Sequence, residues 1–111
     1  MAVLDIDAGR LTARLVLEAP EVTDDGQGGA ATAYLERGRV WALIEPRALA
    51  KEERGPGLEA RVTHHVTLRA GSGIAPGFRL SKGERRLLVE AARDLDETGR
   101  FTLALCREVT G

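Results

Sequence analysis

The sequence predicts an all-β protein, a small antiparallel β-barrel or sandwich of six to seven strands with long loops and at most one short helix. Three observations carry this. Residues alternate in character with a period of two through VTHHVTLR (62–69), and Ala13, Leu15 and Leu17 share one face of TARLVLE (12–18). Gly-containing turns separate such segments at short intervals. With 111 residues the chain has room for one core, so residues 1–111 form a single domain.

The elements follow in order. Thr12–Glu18 is the first strand, and PEVTDDGQGGA, with three glycines and two adjacent aspartates, reads as a long loop over about 20–30. Ala31–Glu36 is a short strand. Arg39–Glu45 (RVWALIE) is apolar on both faces and so central, and Pro46 stops it. Trp41 is therefore expected in the core, where truncation to Ala would cost about 3–5 kcal/mol. RALAKEER (47–54) is rich in helix formers, and Gly55-Pro56-Gly57 breaks it, giving a second long loop at 46–57 with a helical turn or two. Two strands joined by so many residues differ from a hairpin, which needs about two to five.

Leu58–Ala70 is the longest expected strand, followed by the turn region GSGIAPG and a short strand at Phe78–Lys82. Lys82-Gly83-Glu84 turns the chain into Arg85–Arg93 (RRLLVEAAR), read as a strand paired back on it, although the segment could also be helical. DLDETG (94–99) leads into the last strand, Arg100–Val109.

Charge narrows the function classes. Sixteen basic residues face seventeen acidic ones, for a net charge of −1, whereas a protein gripping nucleic acid by its phosphates carries a basic excess. Four aromatics (Tyr34, Trp41, Phe78, Phe101) leave the core to Leu, Val, Ile and Ala. The single cysteine, Cys106, excludes an internal disulfide and reads as a packed thiol in FTLALCREV. The N-terminal stretch MAVLDIDAGRL has neither a basic nor a long apolar region, which points to the bacterial cytoplasm as the site of synthesis and to no membrane partner.

Chemistry-bearing motifs are sparse. His64 and His65 are the only histidines; on a strand, adjacent side chains diverge to opposite faces, so one metal ion meets at most one of them. GSG (71–73) lacks the Lys and the strand–helix setting of a phosphate loop. Asp24-Asp25 in the glycine-rich loop reads as a solvated turn, and Gly28 and Gly29 supply no side-chain oxygens for calcium. Asp94, Asp96 and Glu97 read the same way. No cofactor is expected.

The order of features resembles the phage head–tail joining family, the head closure or stopper proteins, from Gly9 to Val109. The residues that carry it are Gly9-Arg10-Leu11, Gly28-Gly29, Trp41-Ala42, Thr63-His64, Arg69, Gly73-Ile74 and Cys106-Arg107-Glu108. The chain departs from the pattern at Tyr34, where tryptophan is common, and at Leu88-Val89, where Ile before an acidic residue is typical.

The resemblance implies a structural protein and no enzyme. It implies a ring of copies, dodecameric on the assembled particle, between the portal–adaptor complex and the tail terminator or tail tube. That ring would close the channel of the filled head and let double-stranded DNA pass without reading its sequence. Its relatives include prophage and gene transfer agent proteins, so the neck of such a particle is the expected destination after cytoplasmic assembly. Within this reading, Arg47, Lys51, Glu52, Glu53 and Arg54 form a channel or docking loop. Asp24, Asp25 and Gln27 belong to an assembly loop, while Trp41, His64 and Cys106 belong to the structural core. In isolation the protein is expected to be monomeric. The alternatives are a tail-terminator-like neck protein and a small OB-type nucleic-acid-binding barrel, the latter needing exposed aromatics and a basic groove.

Overall fold

The computed structural model describes residues 8–47 and 61–109. A short 3₁₀ turn at Ala8–Arg10 precedes six strands: β1 (Ala13–Asp24), β2 (Ala30–Pro46), β3 (His64–Arg69), β4 (Arg79–Lys82), β5 (Arg85–Asp94) and β6 (Phe101–Val109). They close into a barrel in the order β1-β2-β3-β6-β5-β4, every neighbouring pair antiparallel. The all-β expectation holds, and the closed barrel is the form it takes. RRLLVEAAR is a strand, as its turn implied. Lys82 pairs with Arg85, so Gly83-Glu84 is a two-residue hairpin loop, and Gly83 supplies the positive φ (59°) that such a loop requires.

Alternation decides the core. Leu15 and Leu17 of β1, Ala42 of β2, Val66 and Leu68 of β3, Leu80 of β4, Leu87 and Val89 of β5, and Ala104 and Cys106 of β6 form one buried cluster. Burying each of the larger side chains stabilises the fold by about 1.5–3 kcal/mol. Phe78 and Ile74, from the segment before β4, pack against this cluster. One sector of the barrel is buried on both faces. Leu103 and Leu105 alternate with Ala104 and Cys106 and so belong to the outer face of β6, yet they too are buried. Thr67 of β3, paired with Leu103, is buried with them, and its Oγ1 has no hydrogen-bond partner among the described residues.

Four expectations are corrected. The region 20–30 is no long loop: β1 runs to Asp24 and β2 begins at Ala30, so only residues 25–29 turn. The two strands expected at Ala31–Glu36 and Arg39–Glu45 are one strand of 17 residues. Leu17 faces Gly38 but Glu18 faces Glu36, which leaves Arg37 as the extra residue of a β-bulge. Trp41 is not core; it is 49% exposed, because Ala42 takes the inward position and its neighbour must point out. Finally, β3 begins at His64, with Val62 and Thr63 outside it, and the expected strand residues 58–60 lie outside the described residues.

The consequence for shape is a ribbon. Pairing of β1 with β4 ends at Glu18, and pairing of β2 with β3 begins at Ala42. Beyond these limits β1 and β2 pair only with each other, through Asp24–Ala30, and form a two-stranded arm. The molecule is accordingly elongated, with extents of 53 × 36 × 26 Å.

Candidate functional site

The arm begins at an anchored base. Arg79 Nε of β4 donates to Glu18 Oε1 at 2.8 Å, and the same guanidinium lies 4.0 Å over the ring of Tyr34. Burial pushes the Glu18 carboxyl up, but hydrogen bonds from Arg79 and Ser81 outweigh it and hold the pKa below its ordinary value. Ala19 is still buried and Pro20 and Tyr34 are half-buried, but beyond them the arm residues are exposed, Val22 at 65%, as is Leu35 at 49%.

The tip is shaped by the aspartates that the sequence placed in an assembly loop. Asp24 Oδ1 accepts from Gly26 N at 2.9 Å, and Asp25 Oδ1 accepts from Gln27 N at 2.8 Å and Gly29 N at 3.1 Å. These are Asx turns, and Gly26 and Gly28 adopt the positive φ that the tight reversal needs. A side chain at Gly29 would meet Asp25 Oδ2 at 2.7 Å. From Ala19 to Glu36 the arm carries Glu21, Asp24, Asp25 and Glu36 and no basic residue.

A second surface surrounds Trp41. Arg14, directly opposite on β1, stacks its guanidinium 4.9 Å from the indole centroid. Two open clefts of about 450 and 290 Å³ meet at Trp41 and Arg69, the first bordered by Leu11 and Thr12, the second by Arg39 and Ser72. Among the described residues no carboxylate pairs with Arg14, Arg39 or Arg69. The sequence held a signal for this surface: arginines at 14, 39 and 69 each occupy the strand parity of Trp41's exposed side, but that is visible only once the register is known.

His64 is half-buried at the edge of the core. Its Nδ1 shares a hydrogen bond with Thr63 Oγ1 at 2.9 Å, and its Nε2 lies 3.0 Å from Arg85 Nη2 and 3.9 Å from Glu108 Oε1. With a guanidinium as donor, Nε2 is the acceptor and the ring is neutral. Burial lowers the pKa, Arg85 lowers it further, and Glu108 opposes both. His65, on the other face, is lowered by burial and Arg47. Cys106 is buried, and burial together with Glu90 pushes its thiol up to about 12, so it is inert packing.

Asp94, Asp96 and Glu97 also resolve as turn chemistry. Asp94 accepts from Asp96 N and Gly99 N, while Asp96 accepts from Thr98 N and pairs with Arg100 at 3.3 Å. Among the described residues no group of three or more His, Cys, Asp or Glu could hold a metal ion, and no helix is long and apolar enough to cross a membrane. Arg47 closes the end of β2, its N donating to Thr63 O at 2.8 Å, whereas Lys51, Glu52, Glu53 and Arg54 of the expected docking loop lie outside the described residues.

A small closed barrel with a projecting ribbon is a shape suited to assembly contacts. The comparisons agree: residues 6–109 match the phage head completion protein family, and the chain belongs to it. Its role is structural, in completing the head and joining it to the tail. Two solved structures share the fold. One is a chain in the virion of a native gene transfer agent particle, 24% identical with a TM-score of 0.64, the match covering 90% of this chain and 96% of that one. The other is the solution structure of protein SF1141 from Shigella flexneri 2a, 22% identical with a TM-score of 0.66, covering 93% and 96%. Comparison with curated proteins gives no match.

Proposed function

We propose that the chain is a non-enzymatic neck subunit. Copies form a ring between the portal–adaptor complex and the tail, closing the DNA channel of the filled head. The observation that carries this reading is the family match over nearly the whole chain. The near-neutral charge supports it as well, since a strongly basic lining would hold DNA that must leave quickly. Arg47, Lys51, Glu52, Glu53 and Arg54 are assigned to the channel or the neighbouring ring, on their mixed charge and the resemblance. The protein is made in the bacterial cytoplasm and ends in the particle neck.

The test is removal of the gene from a particle-producing strain. The expected result is packaged heads that lose DNA and carry no tails, with both defects restored by the wild-type chain. A normal yield of full, tailed particles without it would overturn the reading. Replacing residues 48–54 by a Gly/Ser linker, with full heads and tailed particles scored separately, tests the docking segment.

A further inference from the structure

We propose that the clefts beside Trp41 receive the acidic arm tip of a second copy of this chain, a head-to-tail contact that rests on the ring reading above. Four observations converge. The cleft walls present Arg39 and Arg69, with Arg14 stacked on the indole, and none of the three is neutralised by a described carboxylate. The arm carries Glu21, Asp24 and Asp25, likewise without a salt-bridge partner among the described residues, and no basic residue between Ala19 and Glu36. Each surface therefore lacks the charge that the other supplies.

Apolar area matches as well. Among the described residues Val22 at 65% exposure and Trp41 at 49% are two of the three large hydrophobics left in solvent, one on each surface. A half-exposed tryptophan beside arginines is the composition of an interface anchor. The arm also leaves both of its edges without a strand partner among the described residues, and such edges call for a covering chain.

Geometry directs the contact to another copy. Arg14–Trp41 and Asp24–Ala30 are ten pairs apart on the same two strands, about 33 Å at about 3.3 Å per residue. A ribbon cannot bring its own tip back to its own base over that length. The two surfaces differ, so the contact is heterologous, the kind that generates a ring when its rotation closes.

Trp41 is the chain's only tryptophan, so its fluorescence reports on the clefts alone. The full-length protein is titrated from micromolar to millimolar at low salt, with sedimentation velocity in parallel. The arm variant combines Glu21→Gln, Asp24→Asn and Asp25→Asn, which keeps the turn-forming acceptors. The cleft variant combines Arg39→Gln and Arg69→Gln, which leaves Arg14 on the indole. Wild type is expected to be monomeric at low micromolar concentration and to associate progressively toward millimolar, with a blue shift of Trp41 that salt weakens. Each variant alone should associate at least tenfold more weakly. An equimolar mixture should regain association and stop at one-to-one, because only one arm–cleft pairing remains intact.

Wild type that stays monomeric with unchanged emission overturns the proposal. So does association that either variant leaves intact, or an emission shift that follows a short DNA duplex and not added protein. The outcome is separable from the neck role: heads that still require this chain for tail joining, while arm and cleft variants join tails normally, would retain the role and remove the contact.

Discussion

β1 and β2 each live in two environments, and a bulge at Arg37 lies close to where one gives way to the other. Before it, Leu15 and Leu17 are buried and the two strands are flanked by β4 and β3. Beyond Glu18 on β1 and before Ala42 on β2 the same strands pair only with each other, and past the Pro20–Tyr34 pair they expose both faces. Barrel residues are held by neighbours on every side, whereas arm residues are held by one ladder and the Glu18–Arg79 anchor at its base. Continuous strand structure therefore does not imply uniform stability. The barrel is the folding unit, and the arm is an attachment that its base keeps in place.

The sharpest way to break that contrast is a core truncation. Leu68→Ala, at a fully buried barrel position, should destabilise by about 2–5 kcal/mol in chemical denaturation. A loss below about 1 kcal/mol would mean that the barrel is not the folding unit. Next, Glu18→Gln removes the part-buried charge that Arg79 engages and should cost about 1 kcal/mol, with faster amide exchange in the arm and unchanged exchange at Val66. Equal acceleration in both regions would show that arm and barrel open together.

Trp41→Ala should cost only about 1 kcal/mol, since half of the indole is already in water and the main loss is the Arg14 stack. A loss of about 3–5 kcal/mol would return Trp41 to the core it was first expected in. The smallest effect belongs to the arm: Val22→Thr should change thermal stability by less than about 0.5 kcal/mol. A cooperative loss larger than Leu68→Ala would reverse the whole comparison.

Acid separates the regions too. His64 has a folded pKa below its ordinary 6.5, so the unfolded chain binds the proton more readily. Its contribution is intact above 6.5 and is lost as pH falls below it. Melting temperature should therefore decline below that pH in wild type and less steeply in His64→Gln. Parallel curves would remove the histidine from the acid response.

The barrel was legible in the sequence because burial writes alternation: HHVTLR carries an inward series that the structure shows at Val66 and Leu68, and FTLALCREV, read as a strand with an apolar face, is β6. The arm was not, and the reason is physical. AATAYLE pairs along its length yet buries neither face, so no hydrophobic period ties it to the barrel strand that it continues; Ala31–Glu36 read as a short strand of its own, and the glycines at the tip suggested a loop over 20–30 where β1 runs on to Asp24. Trp41 failed differently. In RVWALIE both parities are apolar, and nothing local says that Val40, Ala42 and Ile44 win the interior. The arginine at position 14, 27 residues before Trp41, identifies the exposed side only after strands are paired.

Barrel closure has a kinetic side. The β1–β4 seam is three residue pairs, Val16–Ser81, Leu17–Leu80 and Glu18–Arg79, which join chain segments more than sixty residues apart. Loop-closure entropy places such a contact late in folding, and a seam this short is where a closed barrel first comes apart. The protein should fold on the millisecond-to-second scale of non-local β topologies. Its native-state openings should begin by releasing β4 from β1, seen as amide exchange at Leu17 and Leu80 running ahead of Val66 and Ala104, while a uniform exchange rate around the barrel would mean that it opens all at once.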